Sequence, residues 1–178
     1  EAPSHAPHRS DRRVWLAAAA VLAAVSLVGW WNFREQERGS PYFKPQPLAQ
    51  LFRETLRDGF EPYYECRDDA RFADIFRRRQ GQALQLLAMP DGTRMLGLSY
   101  PGGLSRDTTA MLCRVDEEPV MVFVDRLQAD RPGAGQVDAN SEIRVFREVR
   151  DGLVYYEVSR LNAPRVTRFL KVAENEGG

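Results

Sequence analysis

Residues 119–124 read PVMVFV, and every position from Val120 to Val124 is apolar. A strand with one wet face alternates apolar and polar side chains, so this unbroken run predicts a strand covered on both faces, at the centre of a sheet. Val120, Val122, Phe123 and Val124 are the predicted centre of the core. Strand-like runs flank it, at 84–88, 95–100 and 109–115 before it and at 143–149 and 153–159 after it. Turn signals fall at Pro90-Asp91-Gly92, Asp116-Glu117-Glu118 and Asp151-Gly152. The order predicts two successive hairpins, 84–100 and 109–124, and a third closed by the Asp-Gly pair. Residues 165–172 read as a closing strand or a short helix. Residues 130–140 form a polar loop longer than most connections.

Upstream the period changes from two to about 3.6. Leu48, Leu51, Phe52 and Leu56 share one face of a short helix that Gly59 ends. A second helix has Asp68 as N-cap, Phe72, Ile75 and Phe76 as its apolar face, Gly81 as C-cap, and arginines expected to face water or headgroups. Helices followed by an antiparallel sheet of five to seven strands make an α+β domain.

Ahead of this domain lies VWLAAAAVLAAVSLVGWW, residues 14–31, with no charge and Ser26 as its one polar side chain. As a helix it would be about 27 Å long, close to the thickness of a bilayer's hydrocarbon core. Arg9, Arg12 and Arg13 precede it, a polar run follows it, and Trp15, Trp30 and Trp31 sit at its ends, where interfacial aromatics belong. A core helix would show a polar face, and a signal peptide a shorter apolar run with a small-residue cleavage site. The expectation is a single membrane helix. Ala19, Ala20, Ala23, Ala24 and Gly29 would let a neighbouring helix approach closely. The segment offers no imidazole to a haem or chlorophyll.

The predicted organisation is a tail at 1–13, a transmembrane helix at 14–33, a linker at 34–47 stiffened by Pro41, Pro45 and Pro47, an α+β domain at 48–173 and a tail at 174–178. The chain begins with Glu, so further residues can precede it. The arginines before the helix favour a cytoplasmic N-terminus, placing the chain in the inner (cytoplasmic) membrane with a periplasmic C-terminal domain. Cys66 and Cys113 both fall in that domain; they read equally as one disulfide or as two free, partly buried thiols.

Basic and acidic residues balance at 25 each, and no nucleic-acid partner is expected. There is no His after His8, which excludes Ser-His or Cys-His nucleophilic pairs from the domain. Cys-x-x-Cys, P-loop and Gly-x-Gly-x-x-Gly motifs are absent, so no cofactor, catalytic residue, metal site or small-molecule substrate is indicated. His5 and His8 lack a third ligand nearby. Asp68-Asp69 reads as a helix cap with a dipole match, Glu117-Glu118 as part of a turn, and Pro101-Gly-Gly-Leu-Ser105 as a loop. Tyr155 and Tyr156 alternate on one strand, so one is expected to pack and the other to be exposed as a contact residue.

The runs FEPYYECRDDARFADIFRRRQGQALQLL (60–87), MLGLSY (95–100), LSRDTTAMLCRVDEEPVMVFVDR (104–126) and RVFREVRDGLVYYEVSRLNAPRV (144–166) resemble a poorly characterised class of bacterial single-pass membrane proteins with an extracytoplasmic α+β domain. Some members of that class are anti-sigma-like and carry His-x3-Cys-x2-Cys before the membrane helix. This chain has no cysteine before Cys66. The expected function is that of a non-catalytic interaction or structural protein, an accessory subunit that stabilises a larger membrane complex of the electron-transfer or photosynthetic type. Its expected partners are the lipid bilayer and other membrane-protein subunits. The alternative is a transmembrane anti-sigma-like regulator with an extracytoplasmic sensor domain.

Overall fold

The computed structural model describes residues 43–66 and 68–173. The predicted membrane helix, with Trp15, Ala19, Ala20, Ala23, Ala24, Gly29, Trp30 and Trp31, and both predicted tails lie outside the described residues. Among the described residues no helix is long and apolar enough to cross a membrane.

Helix α1 spans Leu48–Arg57 and α2 spans Asp69–Gln80. Seven strands follow: β1 Leu84–Leu86, β2 Thr93–Ser99, β3 Thr109–Val115, β4 Glu118–Arg126, β5 Arg144–Arg150, β6 Leu153–Ser159 and β7 Leu170–Val172. Five form an antiparallel sheet in the order β2-β3-β4-β6-β5, and β1 pairs with β7 in a small sheet of its own. The architecture is α+β, with β4 in the middle as the run at 119–124 predicts.

Both faces of the large sheet are covered. Strand alternation sends Met121 and Phe123 to one face, where Leu48, Leu51 and Phe52 of α1 pack with Leu112, Val154, Tyr156 and Val158. Val120, Val122 and Val124 point to the other, against Phe72 and Phe76 of α2, Leu84 of β1 and Leu170 of β7. All five residues from Val120 to Val124 have no exposed surface. Burying each such side chain contributes about 1.5–3 kcal/mol, before the entropy that folding costs.

Local chemistry sets the ends of the elements. The Asp68 carboxylate accepts hydrogen bonds from the Ala70 and Arg71 amides at 2.8 and 3.2 Å, capping α2, and Gly81 closes the helix in the left-handed region with φ of 82°. The β3-β4 turn places Asp116 and Glu117 at positive φ, 49° and 63°, and the β5-β6 turn does the same with Asp151 and Gly152. Two successive left-handed residues match the right-handed twist of the strands.

Two expectations about pairing and burial need correction. The predicted hairpin at 84–100 does not form: Leu84 pairs with Val172 and Leu86 with Leu170, while β2 pairs with β3. The turn at Pro90 and Gly92 is present, but the partner of β1 comes from the far end of the chain. Tyr155 and Tyr156 are both buried, at 0% and 1% exposure, because β6 is an interior strand of a sheet covered on both sides. Of the two readings of Cys66 and Cys113, the structure has the free thiols, both buried in the cluster on the α2 face. Burial raises the pKa of each; at Cys113 the negative charge of Glu157 adds to the effect.

Candidate functional site: a tyrosine-arginine cleft

A cleft of about 660 Å³ opens between α2 and the segment that precedes it, lined by Tyr63, Tyr64, Ala70, Arg71, Asp74, Ile75, Arg78 and Tyr100. Its first wall is the extended stretch around Tyr64. The Tyr64 amide donates to the Leu98 carbonyl at 3.0 Å and the Leu98 amide donates back at 2.8 Å, so this stretch adds a single bridge to the edge of β2. The Tyr63 amide donates to Ser99 Oγ at 3.0 Å. Close approach here depends on Gly97, which stands where the β2-β3 register shifts: a Cβ at that position would collide with the Tyr64 carbonyl oxygen and with Pro62.

Tyr100 also lines the cleft, and the loop that follows it is fixed by a buried carboxylate. Asp125, fully buried at the end of β4, accepts hydrogen bonds from Ser105 Oγ and Thr108 Oγ1, both at 2.6 Å, and from the Arg126 amide at 2.8 Å. These bonds hold the 104–108 loop, where Leu104 and Ser105 amides donate in turn to Thr108 Oγ1. Arg79, expected to face water, instead donates to the carbonyls of Arg106 at 2.8 Å and Asp107 at 3.2 Å and to Thr109 Oγ1 at 3.0 Å. Gln80 reaches the Asp107 carbonyl at 2.5 Å. Held there, the Arg79 guanidinium lies over the Tyr100 ring, 4.5 Å from its centroid.

The second arginine-aromatic pair is Arg71 over Tyr64 at 4.4 Å. Tyr63 and Tyr100 meet edge to face with centroids 5.8 Å apart. Asp74 is engaged by Arg78 at 2.7 Å and by Arg77 at 3.8 Å along the helix, so its charge is balanced within α2. Tyr63 is 82% exposed. Burial raises the pKa of the Tyr100 phenol against the opposing positive charge of Arg79, so it is a neutral hydroxyl at physiological pH.

The cleft thus presents aromatic edges, phenol hydroxyls and the Arg71 guanidinium on walls set by backbone bonds. Tyrosine and arginine are the side chains that dominate contact surfaces, because both bury large area while keeping a polar group for orientation. Sequence reading does not single out this set. Gly97 within a strand pattern is the one local signal of a close backbone approach.

Two further carboxylates, Glu157 and Asp130, are engaged in holding the fold. Glu157, fully buried on β6, accepts the Arg165 amide at 2.6 Å, the Val166 and Thr167 amides at 2.9 Å each, and Thr167 Oγ1 at 2.5 Å. It ties the approach to β7 onto the sheet. Asp130, in the long loop, accepts from the Tyr156 hydroxyl at 2.7 Å and from Arg147. Burial would raise the Asp130 carboxyl, but the Arg147 and Tyr156 hydrogen bonds outweigh it and hold the pKa below the ordinary value. Among the described residues no group of three or more His, Cys, Asp or Glu side chains is placed to hold a metal ion. Compared with protein-family models, with curated proteins and with solved structures, the chain gives no match.

Proposed function

We propose that the protein works by contact, as a membrane-anchored, non-catalytic interaction protein and an accessory subunit that stabilises a larger membrane complex. The observation that carries this reading is the cleft with Tyr63 at its rim, a large aromatic side chain left 82% exposed beside walls that are themselves fixed. The buried carboxylates support it: Asp125 and Glu157 each accept three or more hydrogen bonds from their own chain, which suits them to holding structure. Anchoring rests on the apolar segment at 14–31, whose small residues suit packing against a neighbouring helix.

The experiment replaces Ala19, Ala20, Ala23 and Ala24 by Leu in the full chain and follows both membrane fractionation and co-purification in mild detergent. Insertion is expected to persist, because hydrophobicity rises, while near-stoichiometric partners are lost because the helix can no longer be approached closely. Loss of membrane association in the unaltered chain would overturn the anchor, and the absence of any near-stoichiometric partner would overturn the subunit reading.

A further inference from the structure

Strand β5 is the outer strand of the large sheet, and among the described residues nothing pairs with its free edge. Every second peptide group along it therefore points away from β6, the arrangement that accepts another strand. Arg144, Arg147, Glu148 and Val149 are exposed along this strand. Its register with β6 puts Arg144, Phe146 and Glu148 on one face, opposite Ser159, Glu157 and Tyr155, and Val145, Arg147 and Val149 on the other.

We propose that the free edge of β5 pairs with β5 of a second copy of this chain, antiparallel about a two-fold axis at Phe146. A two-fold axis normal to the sheet must pass through a residue paired with its own copy, which leaves few registers to compare. Pairing Arg147 with itself gives the fullest overlap, but it also sets Arg144 opposite Arg150 twice, and like charges directly opposite destabilise a ladder. An axis at Glu148 sets that carboxylate against its copy, and an axis at Val145 overlaps only residues 144–146 of the two strands. An axis at Phe146 avoids all of these. It places Phe146 against Phe146, Val145 against the aliphatic stem of Arg147, and Arg144 against Glu148 on both sides.

The side chains are available for this pairing. Among the described residues Arg144 makes no ion pair, Glu148 is half-exposed and would exchange its 2.7 Å contact with Arg150 for Arg144 of the second copy, and Arg147 keeps its guanidinium on Asp130 while offering only its stem. Phe146 is half-buried, so its outer part is open to a matching ring. The charges that protect the edge from indiscriminate pairing thus select one register of self-pairing. A five-residue ladder covers less surface than a typical stable interface, so the association is weak and its population rises with local concentration.

The test uses the full chain in mild detergent, with Phe146→Cys and Val149→Cys compared under gentle thiol oxidation. Cα atoms directly opposite in an antiparallel pair lie about 4.5–5.5 Å apart, within disulfide reach, so Phe146→Cys is expected to give a covalent dimer. Val149→Cys and the parent are expected to stay monomeric on a non-reducing gel, since the two copies of residue 149 are about 20 Å apart in this register. A charge exchange read by sedimentation needs no new cysteine. Glu148→Arg is expected to weaken the dimer about tenfold, and adding Arg144→Glu to restore it. Dimers trapped through Val149→Cys but not Phe146→Cys would overturn the register, as would a double variant no tighter than Glu148→Arg. A parent chain that stays monomeric at the highest attainable concentration would overturn the pairing itself.

Discussion

The rings of Tyr63 and Tyr100 meet edge to face at 5.8 Å, one of them 82% exposed and the other stacked beneath the Arg79 guanidinium. An exposed tyrosine has little to contribute to folding, whereas one held at the rim of a fixed cleft loses little freedom when a partner docks. Tyr63→Ala is therefore expected to shift unfolding by less than about 1 kcal/mol, measured by urea denaturation of the full chain. In the full chain the same change should remove most of the co-purifying partner.

Gly97 governs where Tyr63 and Tyr64 stand. A methyl group at Gly97 would press on the Tyr64 carbonyl and the Pro62 ring, and a backbone atom cannot rotate aside as a flexible side chain can. Gly97→Ala should lose the paired hydrogen bonds between Tyr64 and Leu98, at a cost of about 1–3 kcal/mol, and open the cleft wall. Faster hydrogen exchange at the Tyr64 and Leu98 amides would report it, with the amides of β4 unchanged.

Glu157 gathers three backbone amides and one hydroxyl from residues 165–167. Glu157→Gln replaces one acceptor oxygen by an NH2 group that faces donors, leaving buried amides without partners. The expected loss is about 2–4 kcal/mol, with fraying of β7 and therefore of β1. Glu142→Gln, at a side chain 86% exposed, should leave the urea midpoint where it was.

The Tyr156 phenol is pushed up to about 12, by burial first and by its hydrogen bond to the Asp130 carboxylate second. Its ordinary value is 10.0, so between about pH 10 and about pH 12 the unfolded chain releases a proton that the folded chain keeps. Tyr156 thus contributes stability that is fully present below pH 10 and is lost as pH rises through 12. Urea midpoints taken across this range should fall more steeply for the parent than for Tyr156→Phe. Asp130 works in the opposite direction: its carboxyl is held below the ordinary value, so its contribution stands above that value and is lost as pH falls through the lowered one.

What the sequence discloses is what short-range chemistry decides. Asp68 and Gly81 mark the ends of α2 because a cap and a left-handed glycine act on the nearest amides and carbonyls. Val120 to Val124 mark the central strand because burial on both faces leaves no polar position. Pairing across the chain is hidden: nothing near Leu84 shows that Val172 is its partner. The burial of both Tyr155 and Tyr156 depends on layers contributed by residues far away in sequence. The cleft is hidden for the same reason, since Tyr63, Arg71 and Tyr100 come from three segments and no spacing connects them.

The most direct test of the contact reading is the amount of partner bound per chain, measured by quantitative mass spectrometry on the full chain purified in mild detergent. The parent and a Tyr63→Ala, Arg71→Glu double variant are compared at equal yield and with matched circular dichroism. A near-stoichiometric partner is expected on the parent and a loss of at least about tenfold on the variant, since one tyrosine and one arginine at the centre of a contact surface can carry much of its affinity. An unchanged partner ratio on the folded variant, or a parent that carries no partner near one per chain, would contradict it.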